Sequence, residues 1–246
     1  MKLYPLHKAV IECDLATIHS LLKGCIDIDQ RDEFFYTPLH VACDVGASLE
    51  ILQVLIKHGA SLHDRADHKY TPLILICDEG YKEVQFMRLM SSRKEAAPDV
   101  WFELSSIFNY RIGAATYFVT KNADINAVDN RRQSILHQVA RNGIIEYCSY
   151  CLQVDFDGIS TSDYVDLINA AFFAGGALDD ERVSLINELL KVYYQGKVKV
   201  ADAFLLLGAD AKLIDSDGKA AYDYARNSGN LILYKMLEVK SKSFRL

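Results

Sequence analysis

The chain has 246 residues, half of them hydrophobic and 24% charged, with a formal net charge of −6. That balance suits a folded soluble protein and not a disordered one, and the negative sign argues against a basic surface for nucleic acid. No apolar run has the length of a membrane span or of a secretory signal core, and Cys13, Cys25, Cys43, Cys77, Cys148 and Cys151 are scattered as reduced thiols of a cytoplasmic protein would be.

Taken in chain order, Tyr4-Pro5-Leu6-His7 opens a first helix and 15–22 reads as a second. Thr37-Pro38-Leu39-His40 repeats the opening in its clearest form. Thr37 can cap a helix by accepting a backbone N–H, and Pro38 fits the first helical position, where its missing N–H would be unpaired anyway. Ala42 and Cys43 are small, Gly46 can end the helix in the left-handed region, and Ile51, Val54, Leu55 and Ile56 share one face of a second helix that stops at Gly59-Ala60. Thr71-Pro72-Leu73 starts a third unit, with Ile74 in place of histidine.

Beyond it, 91–98 turns polar, and Pro98 predicts a loop. A degenerate fourth unit follows, with helices over 100–108 and 112–119 before Asn122-Ala123-Asp124-Ile125-Asn126. Ser134-Ile135-Leu136-His137 and Arg141-Asn142-Gly143 restore the pattern in a fifth. The sixth is read as a helix over 164–174, an inserted amphipathic helix over 180–194 ending before Gly196, and a late second helix over 200–207. The last unit, with Asp217-Gly218-Lys219 in its turn and Tyr222 to Arg226 in its first helix, has the polar dress of a C-terminal cap.

Two registers support this division. Twelve residues separate Cys25 from Thr37, Gly59 from Thr71, Asn122 from Ser134 and Gly208 from Ala220. Seven separate Leu6 from Cys13, Leu39 from Gly46, Leu73 from Gly80, Leu136 from Gly143, Leu167 from Ala174 and Tyr222 from Gly229. On these residues the chain resembles the ankyrin-repeat proteins. The resemblance implies an all-α solenoid of stacked helix pairs joined by hairpin-like turns, one domain over 1–246. Its units would be about seven, two of them degenerate: 1–32, 33–66, 67–97, 98–129, 130–160, 161–214 with the inserted helix 180–194, and 215–240.

No enzyme signature accompanies the repeats. Cys148 and Cys151 have CxxC spacing but fill second-helix positions, without a second ligand pair, and so read as buried structural residues. His7, His40 and His137 recur at one repeat position, as hydrogen-bonding framework residues would. Cys43 near His40 replaces a packing alanine, and Gly175-Gly176 lacks the rest of a dinucleotide loop.

The resemblance therefore implies a non-catalytic protein-protein interaction module or scaffold, without cofactor or metal. It would be monomeric and bind a protein partner, not nucleic acid or membrane, through a concave groove and its projecting finger turns. Carried over by position, the partner-binding residues are Phe34, Phe35, Tyr36, Asp44, His68, Tyr70, Asp78, Arg131, Arg132 and Arg141. Phe34 and Phe35 stand out, because a turn favours small or polar residues where Phe35 sits. Two alternatives accompany this reading. One is a secreted microbial effector acting on host proteins in the host cytosol. The other is a hydrolase-like activity in the irregular 154–200 region, where Asp155, Asp157, Asp163 and Asp166 lie.

Overall fold

The structure, a computed structural model, describes residues 4–77, 98–141, 144, 166, 168–170 and 180–243. Its elements begin where the local chemistry requires. Thr37 accepts the His40 N–H at the head of α3 (Pro38–Asp44), and Thr71 accepts the Ile74 N–H at the head of α5 (Pro72–Leu75), each with proline in the first turn. The same role passes to Asp14 before α2 (Leu15–Leu22), to Ser48 before α4 (Leu49–Lys57) and to Asn230 before the last helix. Gly46 and Gly229 close their helices with φ of 60° and 75°, and Cys13, at the same place after α1 (Pro5–Ile11), takes φ 52° without being glycine.

The helices lie in two rows. In the first, α1 packs on α3, α3 on α5, α5 on α7 (Ile135–Ala140) and α7 on α9 (Ala221–Asn227). In the second, α4 packs on α6 (Pro98–Thr120), α6 on α8 (Asp180–Leu206) and α8 on α10 (Leu231–Lys242). Across the rows α1 meets α2, α3 meets α4, α7 meets α8 and α9 meets α10. Buried Arg111 of α6 donates to the Ile76 carbonyl just beyond α5, 3.2 Å away. The dry interior runs between the rows from Leu6 and Ile18 through Leu39, Leu52, Leu73, Phe118, Leu136 and Phe204 to Leu233. Each pair thus buries an apolar face that it could not bury alone. Pairing of extended backbone among the described residues is limited to isolated bridges, Val128 with Ser134 and Ile214 with Ala220.

Two long helices correct the expected helix bounds. The separate helices over 100–108 and 112–119 are one element, α6, of 23 residues or about 34 Å. Pro98 opens that helix as its first residue. Likewise 180–194 and 200–207 are not an insert and a late helix but parts of α8, 27 residues and about 40 Å long. Gly196 does not end it. A Cβ there would lie 2.1 Å from ring atoms of Phe108, so the glycine lets α6 and α8 approach. Among the described residues four helix pairs meet across the rows, and α6 lies in the second row between α4 and α8. Of the helix expected over 164–174, Asp166 and 168–170 are described and are helical. Gly80, Gly143, Cys148 and Cys151 lie outside the described residues, as do Asp155, Asp157 and Asp163.

Candidate finger surface

The turns between pairs share one construction. In the first finger the Asp32 N–H donates to the Tyr36 carbonyl, and Asp32 Oδ1 accepts from the N–H groups of Phe34 and Tyr36 at 2.9 and 2.8 Å. Asp129 does the same for Arg131 and Gln133, both at 2.8 Å, and Asp215 for Asp217 and Lys219 at 2.9 and 2.8 Å. The second finger has Ala66 at this place. There Arg65 Nη1 donates to the carbonyls of Lys69 and Val128, tying the turn to its neighbour.

Two residues before each helix cap the backbone enters the left-handed region. Phe35 (φ 60°), Lys69 (61°), Arg132 (62°) and Gly218 (76°) occupy that place, and only the last is the residue type that adopts it without steric penalty. The tips are stitched in order: the Asp67 N–H donates to the Phe34 carbonyl at 3.1 Å, Asn130 to His68 at 2.8 Å and Ser216 to Arg131 at 2.8 Å. A second row of links runs behind the helices, with Ser61 N–H on Asp29 Oδ1 at 2.9 Å and Asp210 N–H on Asn126 Oδ1 at 2.7 Å.

The buried histidines hold the fingers to the helices. His40 Nδ1 accepts from the Thr37 N–H, and its Nε2 lies 3.1 Å from the carbonyls of both Asp64 and Tyr70. His137 Nε2 reaches the Lys219 carbonyl at 3.1 Å and His7 Nε2 the Tyr36 carbonyl at 2.9 Å. Each therefore donates to the residue just before the next pair's helix cap. With Nδ1 accepting, His40 and His137 must be neutral, and burial pushes both below the usual histidine range, against the pull of the carbonyls they contact. The unfolded chain protonates first as pH falls below 6.5. The stability these groups give is whole above that value and is lost as pH falls through their folded values. The melting temperature should drop between pH 7.5 and 5.5 in thermal scans; a flat profile would contradict the neutral assignment.

Phe34 and Phe35 are 53% and 58% exposed at the first tip. Tyr36 and Tyr70 are half-buried, with Tyr36 against His40 and Tyr70 against His68, ring centroids 5.8 and 6.0 Å apart. His68 is exposed, with Nδ1 3.2 Å from Asn130 Nδ2. The tip stitches bring Phe34, Phe35, His68, Arg131 and Arg132 into one row. Asp44 stands apart at the C-terminal end of α3, exposed where the helix dipole disfavours an acid. Arg141 caps α7 and lies half-buried, with Nη1 3.4 Å from Gln138 Oε1. Asp78 lies outside the described residues.

The sequence pattern did not single out Lys197. It is buried in α8, donates to the Val139 carbonyl at 2.7 Å and to the Arg141 carbonyl, and sits 5.0 Å from the Tyr193 ring. Its side-chain nitrogen thus closes the end of α7 and fixes the backbone of Arg141. Burial holds it well below the usual lysine range. Tyr224 is a second such residue: its hydroxyl accepts from Gln133 Nε2 at 2.7 Å and donates to Asp215 Oδ2 at 2.6 Å, joining the last two fingers. Burial alone would raise the Asp215 carboxyl, but the Tyr224, Lys219 and Asp217 bonds hold it below the ordinary range. The one signal for either residue was a polar group on an otherwise apolar helical stripe. Cys43 is buried and its thiol is pushed well up by that burial, which suits packing and not nucleophilic chemistry. Among the described residues no group of side chains could hold a metal ion, and no helix is long and apolar enough to cross a membrane.

A family model for ankyrin repeats, in three copies, matches residues 6–94. These residues are ankyrin repeats, and the fold is an all-α repeat solenoid. Protein phosphatase 1 regulatory subunit 27 of Homo sapiens is 46% identical over 55 residues, and its Mus musculus counterpart matches equally. The match covers 22% of this chain and 35% of those relatives, so the chain spans about a third of their length. Ankyrin repeats are protein-interaction modules, and the repeats with this relative point to a non-catalytic role.

Proposed function

We propose that the chain is a non-catalytic scaffold that holds a protein partner along its finger row and the concave face beside it. One observation carries the reading. Phe35 is a bulky residue in the left-handed region, which costs roughly 1–2 kcal/mol, and together with Phe34 it exposes apolar surface that the fold does not use. Gly218 fills the same place in the fourth finger without that cost. The return on Phe35 lies outside the fold, and an aromatic pair on a rigid turn is the kind of anchor that dominates interface energetics. The free thiols Cys13, Cys25, Cys43 and Cys77 suit a monomer acting in a reducing compartment. The similarity to a protein phosphatase 1 regulatory subunit favours a regulatory task and makes protein phosphatase 1 the first partner to test.

Replacing Phe34, Phe35 and Arg131 together with alanine should weaken a purified partner about 100-fold or more and leave the circular-dichroism melt unchanged. Phe35→Gly alone should weaken the partner while stabilising the fold by about 1 kcal/mol, because the left-handed strain is relieved. Full capture by the triple variant would reject the finger surface.

A further inference from the structure

Several surface cations of this acidic chain are already engaged. Arg31 pairs with Asp64 at 2.9 Å, Lys242 with Glu238 at 2.6 Å, Lys8 lies 3.8 Å from Glu12, and Arg65 bridges two carbonyls. The third and fourth fingers differ. Arg131, Arg132 and Lys219 are exposed there, and none of them takes part in an ion pair among the described residues.

The acids of the same turns face inward. Asp129 and Asp215 are 4% and 3% exposed, and their carboxylates accept the turn's own N–H groups. Asp217 is the acid left exposed at the fourth tip, against three cations. The seat is also rigid. Ser216 N–H on the Arg131 carbonyl ties the tips together, Tyr224 links Gln133 to Asp215 beneath them, and Lys219 Nζ lies 5.9 Å from the Tyr224 ring. Cations held in place before binding lose less freedom when a carboxylate arrives.

We propose that these two fingers seat an acidic segment of the protein partner, a deepening that rests on the finger-surface reading above. The net charge of −6 repels a long polyanion at a distance, whereas a short run of carboxylates feels mainly the local field within about 10 Å. Neighbouring helices pack about 10 Å apart, so the first and fourth tips lie about 30 Å apart. About nine extended residues cover that span. The matching segment has an apolar anchor for Phe34 and Phe35 and, about nine residues away, a cluster of Asp or Glu.

A random 16-residue peptide library displayed on phage, panned against the full chain, tests this. The wild type should select peptides rich in Asp and Glu. Binding of a selected peptide should weaken at least tenfold on Arg131→Glu/Arg132→Glu/Lys219→Glu, with an unchanged melt, and weaken as salt rises. If that variant and the wild type select the same acid-poor apolar motif, and Phe34→Ala/Phe35→Ala loses it, the acidic seat is overturned and the finger surface stands. Selected peptides indifferent to both variants overturn both. A fluorescein-labelled 20-nucleotide single strand bound as tightly, with the same dependence on the three cations, would mark a general polyanion site and overturn the assignment to a protein segment.

Discussion

Replacing Gly196 with alanine is expected to destabilise the fold by about 2 kcal/mol, the usual cost of an added methyl in a packed interior. The new Cβ would stand 2.1 Å from two ring atoms of Phe108 and 2.7 Å from a third. Phe108 cannot swing away freely, because it is 3% exposed and its ring centroid lies 6.0 Å from that of buried Tyr193. Helix propensity alone predicts the opposite sign, since alanine is the better helix former by about 1 kcal/mol. Urea denaturation therefore separates the alternatives. A gain in stability would mean that α6 and α8 do not meet at this point. Adding Phe108→Ala should restore part of what Gly196→Ala removes, a coupling that independent sites would not show.

His40→Ala should cost about 3 kcal/mol. The imidazole is fully buried, accepts from Thr37 and reaches the carbonyls of Asp64 and Tyr70, so its removal opens a cavity and unpairs polar groups on two successive units. Partner binding should fall with it, because the His40 contact to the Tyr70 carbonyl sets where the second finger ends and its helix starts. The same variant should also show a shallower loss of stability between pH 7.5 and 5.5, since one of the two groups depressed by burial is gone. A variant as stable as the parent would show that the histidine merely fills space.

The repeat was legible because its punctuation is local. Thr37-Pro38 and Thr71-Pro72 name their own helix starts, and Gly46, Gly59, Gly208 and Gly229 all take the positive φ that glycine admits readily. The twelve-residue register ends on the caps that follow the four described fingers, Thr37, Thr71, Ser134 and Ala220, and the three histidines join helix to finger. Helix bounds departed from the sequence reading where tertiary packing overrode local signals. Gly196 was read as a helix end, but its lack of a side chain serves the contact with Phe108 from another helix. Arg111 falls between the two helices expected over 100–108 and 112–119, and it is buried against the Ile76 carbonyl within one continuous helix. Pro98 looked like an interruption and is a first helical residue. For the candidate site, Phe34 and Phe35 were conspicuous by residue type alone. The burial of Lys197 depends on the end of a helix 56 residues away, which no spacing rule reports.

The continuous stack implies that the second and third fingers are immediate neighbours, although about 60 residues separate them in the chain. The Asn130 N–H sits 2.8 Å from the His68 carbonyl, and the two side chains come within 3.2 Å. The most direct test is therefore a disulfide between His68→Cys and Asn130→Cys, formed under mild oxidation and located by peptide mass mapping. It should form rapidly and in high yield with the fold intact. If a further repeat stood between these fingers they would be about 10 Å farther apart, beyond the roughly 7 Å that a disulfide can bridge between Cα atoms, and failure of the pair to cross-link in the folded chain would contradict the stack.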